Sequence, residues 1–458
     1  MTKVAVVGGG ISGATAAYRL RQSLGADAEI VLFESSGSLG GKLRTVELAG
    51  TRYDVGAEAF LARRPEAVAL VEEIGLGGEL AHPTGAKSTV RAGGRRVGLP
   101  GGTMMGIPGS ADAVAEVLSD DGRRRVAAEA ELPAVRLDGD VALGELLRGR
   151  FGDELVDRLV DPLLGGVYAG GPDGLGLRAT VPALAKAIDD GAPSLTSAAA
   201  SLLPATPSEK PVFGTLSHGL GTLVDRLVEL GKPELRLNTL VRGLSRTAAG
   251  WSLDLAGGGL EVDAVVLAVP APAARRLLEH VAPVASAALA GVELASMAVV
   301  GLALPPGTEL PAASGVLIGA SERYPDGRPL AAKAFTFSSR KWAHLDGPVL
   351  VRGSVGRFGE PGALRAEDDE LVRLVRSDLA ELTGITAEPI DVHVQRWGGG
   401  LPQYGVGHLD TVGKAERAVA DLPGLAIAGA ALHGVGVPAC IATATAAASR
   451  ITSGLPRR

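Results

Sequence analysis

The sequence predicts a protein of mixed class, in which an α/β part and an α+β part are joined by a mostly helical insertion. Three observations predict this class. A strand–glycine turn–helix–strand pattern opens the chain, strand signals are weak from about residue 86 to 205, and strand signals resume after Leu235. The chain has 458 residues, 46% hydrophobic and 21% charged, which allows several domains and excludes wholesale disorder.

The opening pattern is that of a nucleotide-binding βαβ unit. An apolar run over residues 3–7 ends at Gly8-x-Gly10-x-x-Gly13, apolar residues then recur at helical spacing, and residues 29–34 form a second strand-like run. The first glycine permits a tight turn, the second lets a pyrophosphate approach the backbone, and the third lets helix and strand pack closely. The simpler alternative is a glycine turn without a ligand in a chain that has 65 glycines.

A carboxylate at the end of the second strand-like run strengthens the nucleotide interpretation. Glu34 follows Gly13 at the distance of about 20 residues that is typical of a ribose-binding carboxylate. Such a carboxylate accepts hydrogen bonds from ribose hydroxyls and repels a 2′-phosphate, which disfavours NADP. The sequence therefore predicts an unphosphorylated dinucleotide at this site.

A second glycine pair, Gly40-Gly41, follows Glu34 closely, and an NAD site does not need it. The pair resembles the pattern of FAD enzymes of the glutathione-reductase-like structural group, and the resemblance continues at residues 53–57, 427–429 and 434–438. It implies a Rossmann-like FAD-binding domain whose last helix begins under the flavin. The implied FAD-binding residues are Gly8, Gly10, Ile11, Ser12, Gly13, Glu34, Ser35, Gly40, Gly41, Lys42, Gly56, Ala57, Val241, Gly429 and Val437.

Longer segments resemble one family of FAD enzymes. They are residues 99–108, 143–182, 213–227, 396–412 and 434–441. They are similar to the oxygen-dependent, FAD-containing protoporphyrinogen and coproporphyrinogen oxidases, and residues 53–65 resemble the branch of Gram-positive bacteria that forms coproporphyrin III in haem biosynthesis. The resemblance implies a porphyrinogen substrate, O2 as oxidant and H2O2 as product. Protoporphyrinogen oxidase, flavin amine oxidase or desaturase, and a non-enzymatic flavin carrier remain open as alternatives.

Two residues are the candidate catalytic groups that the resemblance implies. Arg64 stands where the family often has an active-site Lys, and Glu58 stands where an Asp is common. Glu58 is expected to assist proton removal or to orient Arg64, with a structural helix cap as the alternative. Because buried propionates need cationic partners, weaker candidates for binding them are also noted. These are Arg63, Arg178, Arg340, Lys341 and Arg396.

Aromatic and histidine residues near the C-terminal end allow two interpretations each. Trp397 and Tyr404 could form the aromatic cage of an amine oxidase, but simple packing is the favoured interpretation. His408 and His433 could face the flavin, but structural, hydrogen-bonded histidines are favoured.

The predicted organisation divides the chain into five parts. They are an FAD-binding part at 1–85, a mostly helical insertion at 86–208, a second FAD-binding part at 209–274, a substrate-binding α+β part at 275–395, and a C-terminal FAD-binding part at 396–458. Residues 198–208 are expected to form a mobile loop. Residues 425–448 are apolar enough to suggest a membrane span, but their glycines and proline favour a strand, a turn and a buried helix.

Composition limits the partners that the chain is expected to have. A net charge of −6 argues against binding to nucleic acid. The single cysteine, Cys440, excludes an intrachain disulfide, and no metal site is predicted. A start without signal-peptide features predicts a cytoplasmic protein. Weak peripheral membrane contact through the helical insertion and transient contact with ferrochelatase are further expectations, the second by family resemblance only.

Overall fold

The computed structural model describes residues 1–204 and 211–455. The first part of the chain contributes the elements β1 (Lys3–Val7), α1 (Ile11–Leu24), β2 (Glu29–Phe33), β3 (Thr45–Leu48), β4 (Thr51–Asp54), β5 (Phe60–Leu61), α2 (Pro65–Glu73) and β6 (Leu80–Ala81). The next part contributes β7 (Thr89–Ala92), β8 (Arg95–Gly98), β9 (Thr103–Met104), β10 (Ile107–Pro108), α3 (Asp120–Ala128), α4 (Leu143–Phe151), α5 (Asp153–Leu155), α6 (Asp161–Tyr168), α7 (Leu177–Thr180), α8 (Pro182–Asp189) and α9 (Leu195–Leu202).

The remainder of the chain returns to alternating strands and helices. Its first elements are β11 (Phe213–Leu216), α10 (Gly221–Gly231), β12 (Glu234–Arg236), β13 (Gly243–Arg246), β14 (Trp251–Leu255), β15 (Gly258–Val262), β16 (Ala264–Leu267), α11 (Ala271–Leu278) and α12 (Pro283–Leu289). The last elements are β17 (Leu294–Leu304), β18 (Gly315–Ile318), β19 (Ala332–Thr336), α13 (Ser338–Lys341), β20 (Val349–Val355), α14 (Asp368–Thr383), β21 (Asp391–Pro402), α15 (His408–Ala420), β22 (Leu425–Ile427) and α16 (Val437–Gly454).

A five-stranded parallel sheet in the order β12-β2-β1-β16-β22 forms the nucleotide-binding part. Successive side chains of a strand point to opposite faces, and β1 is apolar on both. Val4 and Val6 pack with α1 and α16 on one face. Ala5 and Val7 pack against the layer of β13–β15, α11 and α12 on the other face. The sheet is thus buried between two layers, as the apolar run at 3–7 predicts.

A seven-stranded sheet in the order β21-β17-β20-β19-β18-β7-β8 forms the second layered unit. Its strands pair antiparallel except for β18 and β7, which run parallel. One face packs on α14 through Val351, Leu371 and Val375. The other face meets the β3–β4 hairpin, where Leu48 and Tyr53 contact the sheet.

Two predicted part boundaries are corrected by this sheet. Residues 89–98 were assigned to the helical insertion, but they form β7 and β8 and extend the seven-stranded sheet. Their strands are short and carry several arginines, which hides the strand signal in the sequence. Strand β21 also runs through the predicted boundary between 395 and 396, because it pairs with β17 over almost its whole length. The boundary predicted at 208/209 lies outside the described residues.

Helices α3 to α9 share one apolar core that includes Leu147, Phe151 and Leu184. The predicted helical character of this stretch is therefore confirmed between residues 120 and 202. Residues 198–202, expected as part of a mobile loop, instead complete α9, and residues 205–208 of that prediction lie outside the described residues. Among the described helices, none combines the length and apolar composition needed to cross a bilayer.

The C-terminal segment confirms the predicted strand, glycine turn and helix, which occupy 425–454. Elsewhere the hairpin β14–β15 turns beside Gly257, and a helix occupies 368–383. Strand signals resume after Leu235 in the sequence, but in the run 236–241 only the first residue is in a strand. The chain leaves β12 there because the backbone N–H of Thr239 turns back to the carbonyl of Glu34.

Candidate active site

The glycine turn between β1 and α1 contains glycines of two kinds. Two are needed for the fold itself, and one leaves space in which a ligand can lie. Gly8 has a φ of +110°, and a Cβ on Gly13 would lie 1.8 Å from the carbonyl oxygen of Gly8. A Cβ on Gly10 would have no protein atom closer than 3.9 Å. The backbone at Gly10 is therefore open to a ligand, while Gly13 lets the helix pack on the strand.

The start of α1 offers donors to a negative group. The first N–H groups of a helix, here those of Ile11, Ser12 and Gly13, have no partner within the helix. The helix dipole adds partial positive charge at the same place. Because the Gly10 backbone lies open beside these donors, a pyrophosphate fits this end of α1.

Glu34 is held against the glycine turn at the end of β2. Its Oε2 accepts a hydrogen bond from the backbone N–H of Gly9 at 2.9 Å. Its Oε1 accepts from the N–H of Ser36 at 2.8 Å and from the hydroxyl of Ser35 at 3.3 Å. The carboxylate keeps further lone pairs for ribose hydroxyls, as the sequence predicts.

The second glycine pair meets the first turn directly. Gly40 pairs with Gly10 in a parallel bridge, and its N–H donates to the carbonyl of Gly9 at 2.9 Å. A Cβ on Gly41, where φ is +55°, would lie 3.2 Å from the Cα of Gly10. The two glycine loops therefore form one continuous backbone cradle.

Lys42, Gly56 and Ala57 continue this cradle. The N–H of Ala57 donates to the carbonyl of Lys42 at 2.9 Å, and a Cβ on Gly56 would lie 2.0 Å from that oxygen. Burial lowers the pKa of the Lys42 ammonium, and the Cys440 side chain lies near it. The predicted flavin-lining residues of two loops are thus joined by direct backbone contact.

The C-terminal segment completes the cradle from the other side. The Ser12 hydroxyl donates to the carbonyl of Cys440 at 3.3 Å, so the starts of α1 and α16 lie together. Gly429 has a φ of +122° and its N–H donates to Thr443 Oγ1 at 3.1 Å. Val437 is the first residue of α16. The side chain of Val241 is buried in the core with Val7 and Phe33, so a role of this residue toward the flavin stays a prediction.

A partly buried ion pair lies one residue beyond the cradle. Glu58 Oε1 and Lys341 Nζ are 2.5 Å apart, and each side chain is 18% exposed. The Lys341 ammonium also lies 4.9 Å from the ring centroid of Trp342 and 5.7 Å from that of Phe213. Burial raises the pKa of Glu58, but Lys341 and Arg352 more than offset this and hold it below its usual range. Glu58 is therefore an ionised carboxylate beside the Ala57 backbone.

The chain matches one known protein family over almost its whole length. The sequence profile of the family described as flavin containing amine oxidoreductase matches residues 11–452. The chain belongs to this flavoprotein family. A protein named coproporphyrinogen III oxidase from Mycobacterium tuberculosis is 45% identical over 452 residues, which cover 98% of this chain and 97% of that protein.

Two further relatives agree with this placement. The protein named coproporphyrinogen III oxidase from Bacillus subtilis is 32% identical over 461 residues, which cover 97% of each chain. A crystal structure from Exiguobacterium sp. 255-15, provisionally described as a protoporphyrinogen oxidase, superposes with a TM-score of 0.87. It has 32% sequence identity and covers 99% of both chains.

FAD is the cofactor of this flavoprotein, and the residues of the cradle fit it. The open backbone at Gly10 and the donors at the start of α1 suit the pyrophosphate, and the Glu34 carboxylate suits the adenosine ribose. The positive end of α16 suits negative charge on the pyrimidine side of a flavin. These are the residues that the glycine pattern predicts.

Arg64 and Glu58 do not form an ion pair with each other; each has a different partner. Arg64 precedes the first residue of α2, its side chain is 50% exposed, and Nη2 pairs with Glu66 Oε1 at 2.7 Å. The interpretation in which Glu58 orients Arg64 is therefore wrong, since Lys341 is the ion-pair partner of Glu58 among the described residues. Glu58 is also not a helix cap, because Arg64 precedes α2. A direct role of Arg64 toward a substrate stays a prediction.

The weaker cationic candidates separate into two groups. Lys341 joins the site, and Arg63 is exposed in the same turn as Arg64. The other three side chains are held elsewhere: Arg178 by Asp189, Arg396 by Asp368, and Arg340 by the carbonyl of Leu310.

The aromatic and histidine residues near the C-terminal end have structural contacts. Trp397 Nε1 donates to the carbonyl of Val55 at 3.0 Å. The Tyr404 hydroxyl donates to the carbonyl of Ala430, and its ring stacks on His408 at 3.9 Å. His408 Nε2 lies 2.9 Å from the carbonyl of Leu432, and His433 pairs with the exposed Glu416. The favoured interpretation of packing and structural histidines is confirmed for all four predicted residues.

Sequence reasoning missed a row of buried cations and one histidine. Lys333, Arg352 and Arg357 come from adjacent parts of the seven-stranded sheet, and Lys333 is 3% exposed. Burial, with Arg357 and Arg352 nearby, lowers the pKa of Lys333 to about 7. A lysine inside the apolar strand 332–336 is the one signal that could have indicated it. The missed histidine is His344, which lies beside the Glu58 pair.

Proposed function

We propose that this flavoprotein oxidises coproporphyrinogen III to coproporphyrin III, with O2 as the oxidant and H2O2 as the product. The observation that carries the proposal is the partly buried Glu58–Lys341 pair directly beyond Ala57, which is one of the predicted flavin-binding residues. It occurs in a chain that aligns over nearly its whole length with proteins named coproporphyrinogen III oxidase. A porphyrinogen loses protons as well as electrons on oxidation, and this site supplies a proton acceptor at the cofactor.

The chemistry divides between the cofactor and the chain. When FAD is bound, it supplies the redox chemistry, which is acceptance of a hydride from a meso carbon of the macrocycle and transfer of the hydride's two electrons to O2. The chain positions that carbon and accepts a pyrrole proton. Glu58 is suited to the second task because Lys341 and Arg352 keep it ionised. Lys341 itself is held in place by Glu58 and by the rings of Phe213 and Trp342.

Four propionates distinguish this substrate from most flavoenzyme substrates and need cationic partners. Arg63 and Arg64 are exposed, and they lie in the turn that follows Leu61. This turn comes shortly after Glu58 in the chain. We propose that Arg64 exchanges its exposed partner Glu66 for a propionate when substrate enters. An exposed ion pair contributes little to stability, so this exchange has a small cost.

The surroundings of the protein are also proposed. A cytoplasmic location remains the expectation stated from the sequence, and transient contact with ferrochelatase is proposed from the family resemblance alone. Weak peripheral membrane contact is proposed for the helical insertion, whose described surface includes exposed Leu132 and Val167 beside many charges. Co-sedimentation of the holoenzyme with anionic vesicles tests the last proposal, and a soluble fraction that does not change with vesicle concentration would contradict it.

The proposed function is tested by aerobic turnover of two porphyrinogens. Holoenzyme of known flavin content is given coproporphyrinogen III and protoporphyrinogen IX separately, and porphyrin fluorescence is followed against a no-enzyme control. We expect a higher kcat/KM for coproporphyrinogen III. A preference for protoporphyrinogen IX would keep the chemistry and change the substrate, and flavin-loaded protein that is inert to both would contradict the proposal.

A further inference from the structure

A small cavity lies behind Glu58, at the junction of the β3–β4 hairpin, β11 and the loop after α13. The volume open to the centre of a water molecule is about 20 Å³. This is enough for one ordered water. Polar groups on its wall include Tyr53, Glu58, Ser338 and His344. A polar cavity of this size holds water, unlike an apolar one.

One ring nitrogen in this cavity has no protein partner. His344 Nδ1 is buried and has no hydrogen-bond partner among the described residues. On the same wall the Tyr53 hydroxyl and Ser338 Oγ are 2.8 Å apart, and either oxygen can be the donor. Because His344 lines the same cavity as these two hydroxyls, a water in the cavity lies within reach of the imidazole and of both oxygens.

The cavity connects an inner carboxylate with an outer histidine. At the inner end is Glu58, paired with Lys341. Beyond His344 lies His218, whose side chain is 64% exposed and whose Nδ1 is 3.1 Å from Glu79 Oε2. Burial lowers the pKa of His344, and the nearby His218 adds to this while Asp346 opposes it.

The remaining charged groups around the cavity have other partners. Arg52 Nε donates to the carbonyl of His218 at 2.8 Å. Asp54 accepts from Thr45 Oγ1 at 2.6 Å and from the N–H of Leu220, so its carboxylate links β4 to the start of α10. Burial raises the pKa of Asp54 to about 6, and these hydrogen bonds hold its carboxylate in place. Glu58 and His344 lie at the two ends of the cavity, and they are the groups between which a proton has to pass to leave the site.

We propose that water in this cavity carries protons between Glu58 and His344, and that His344 is the proton-relay residue linking the reaction site to solvent. The proposal rests on the proposed function. Over three two-electron steps the substrate loses three hydrides from meso carbons and three protons, two of them from pyrrole nitrogens and one from the fourth meso carbon. In each step O2 takes up the two electrons, the hydride's proton and one further proton to become H2O2. A proton therefore leaves the site in one half-reaction and is supplied in the other.

The lowered pKa of Glu58 is consistent with such a path. A carboxylate whose pKa lies below its usual range does not retain a proton near neutral pH. The proton that it accepts must pass to a second group before the next step. His344 is suited to this task because it lines the same cavity as Glu58 and an imidazole can both accept and donate a proton.

The test uses stopped-flow reduction of the bound flavin by coproporphyrinogen III without O2, measured across pH. His344→Gln keeps a polar side chain but cannot titrate. We expect normal flavin content, a rate lowered by about tenfold or more near neutral pH, loss of the histidine step from the pH profile, and partial rescue by imidazole. The matched control is His393→Gln, because His393 Nε2 is also buried without a partner among the described residues but lies on β21, away from this cavity.

A second variant tests the water itself. Thr215 lines the cavity, and Thr215→Val keeps its shape while removing a hydroxyl. We expect it to lower the same rate and to reduce the solvent isotope effect on flavin reduction. A wild-type rate and pH profile in both variants would overturn the relay. Failure of coproporphyrinogen III to reduce the wild-type flavin would instead overturn the proposed function.

Discussion

The cofactor cradle lies next to a cluster of side chains around Glu58, which includes Lys341 and His344. The cradle and this Glu58 cluster are built in different ways. The cradle is made mostly of backbone from residues 8–57. Its glycines matter because a Cβ at these positions would clash with the backbone or fill the space left for the ligand. The cluster is made of side chains from distant segments, and Glu58 and Lys341 are 283 residues apart in the chain. The comparison shows that a backbone site can be read from local sequence, whereas a side-chain site depends on how distant strands pair.

The largest expected effect separates two glycines of the cradle. Gly10→Val should abolish flavin binding while the protein stays folded, because a Cβ there meets no protein atom within 3.9 Å and points into the ligand space. Gly13→Ala should destabilise the fold itself, because its Cβ would lie 1.8 Å from the Gly8 oxygen. Flavin absorbance and circular dichroism after purification measure both outcomes. A yellow Gly10→Val protein with normal flavin content would contradict the site assignment.

The next largest effect concerns the ion pair in the cluster. Lys341→Met should leave flavin bound and lower kcat/KM for coproporphyrinogen III by about 100-fold, because Glu58 loses the cation that keeps this base ionised and in place. Without the ammonium the pKa of Glu58 rises, so the remaining activity should require a higher pH than in the wild type. Lys341→Arg, which keeps the charge, is the control and should retain more activity. Equal pH profiles for wild type and Lys341→Met would exclude this role.

A smaller effect is expected at the exposed edge of the cluster. Arg64→Ala should lower kcat/KM by about tenfold, chiefly through KM, because Arg64 is proposed to bind a propionate and not to act at the cofactor. Glu66→Ala is the matched control, since it frees Arg64 from its ion pair and should not raise KM. Steady-state kinetics with both variants decide this, and an unchanged KM in Arg64→Ala removes the residue from the site.

The smallest effect is on stability and tests the buried cations. The pKa of Lys333 is lowered to about 7 in the folded protein, so between about pH 7 and 10 the unfolded chain binds more protons than the folded one. The free energy of unfolding should therefore rise with pH through this window. Lys333→Met removes this contribution, so its Tm should exceed that of the wild type at pH 7 and the difference should shrink toward pH 10. Thermal unfolding at several pH values measures it, and a constant difference would contradict the shift.

Sequence alone predicts the cradle well for a physical reason. Gly8, Gly10, Gly13 and Glu34 lie in one βαβ unit, where turn geometry and strand order fix their positions. The strand–turn–helix at 425–454 is predicted for the same reason. These features need no knowledge of long-range pairing.

The substrate side could not be predicted in the same way. The family resemblance of its segment favours Arg64 over Lys341, but a side chain at a helix start can turn outward, and Arg64 does. Lys341 reaches Glu58 only because α13 and β20 place it there. His344 carries no sequence pattern, and its importance comes from a cavity that several segments close together.

The most direct test of the account is a single-turnover measurement on the holoenzyme. Coproporphyrinogen III is mixed with the protein without O2, the visible flavin absorbance is followed, and air is then admitted while porphyrin fluorescence and H2O2 are recorded. The account predicts that the flavin bleaches with wild-type protein, bleaches far more slowly with Lys341→Met, and recovers in air with formation of H2O2. A flavin that dithionite reduces but coproporphyrinogen III does not would contradict the central claim.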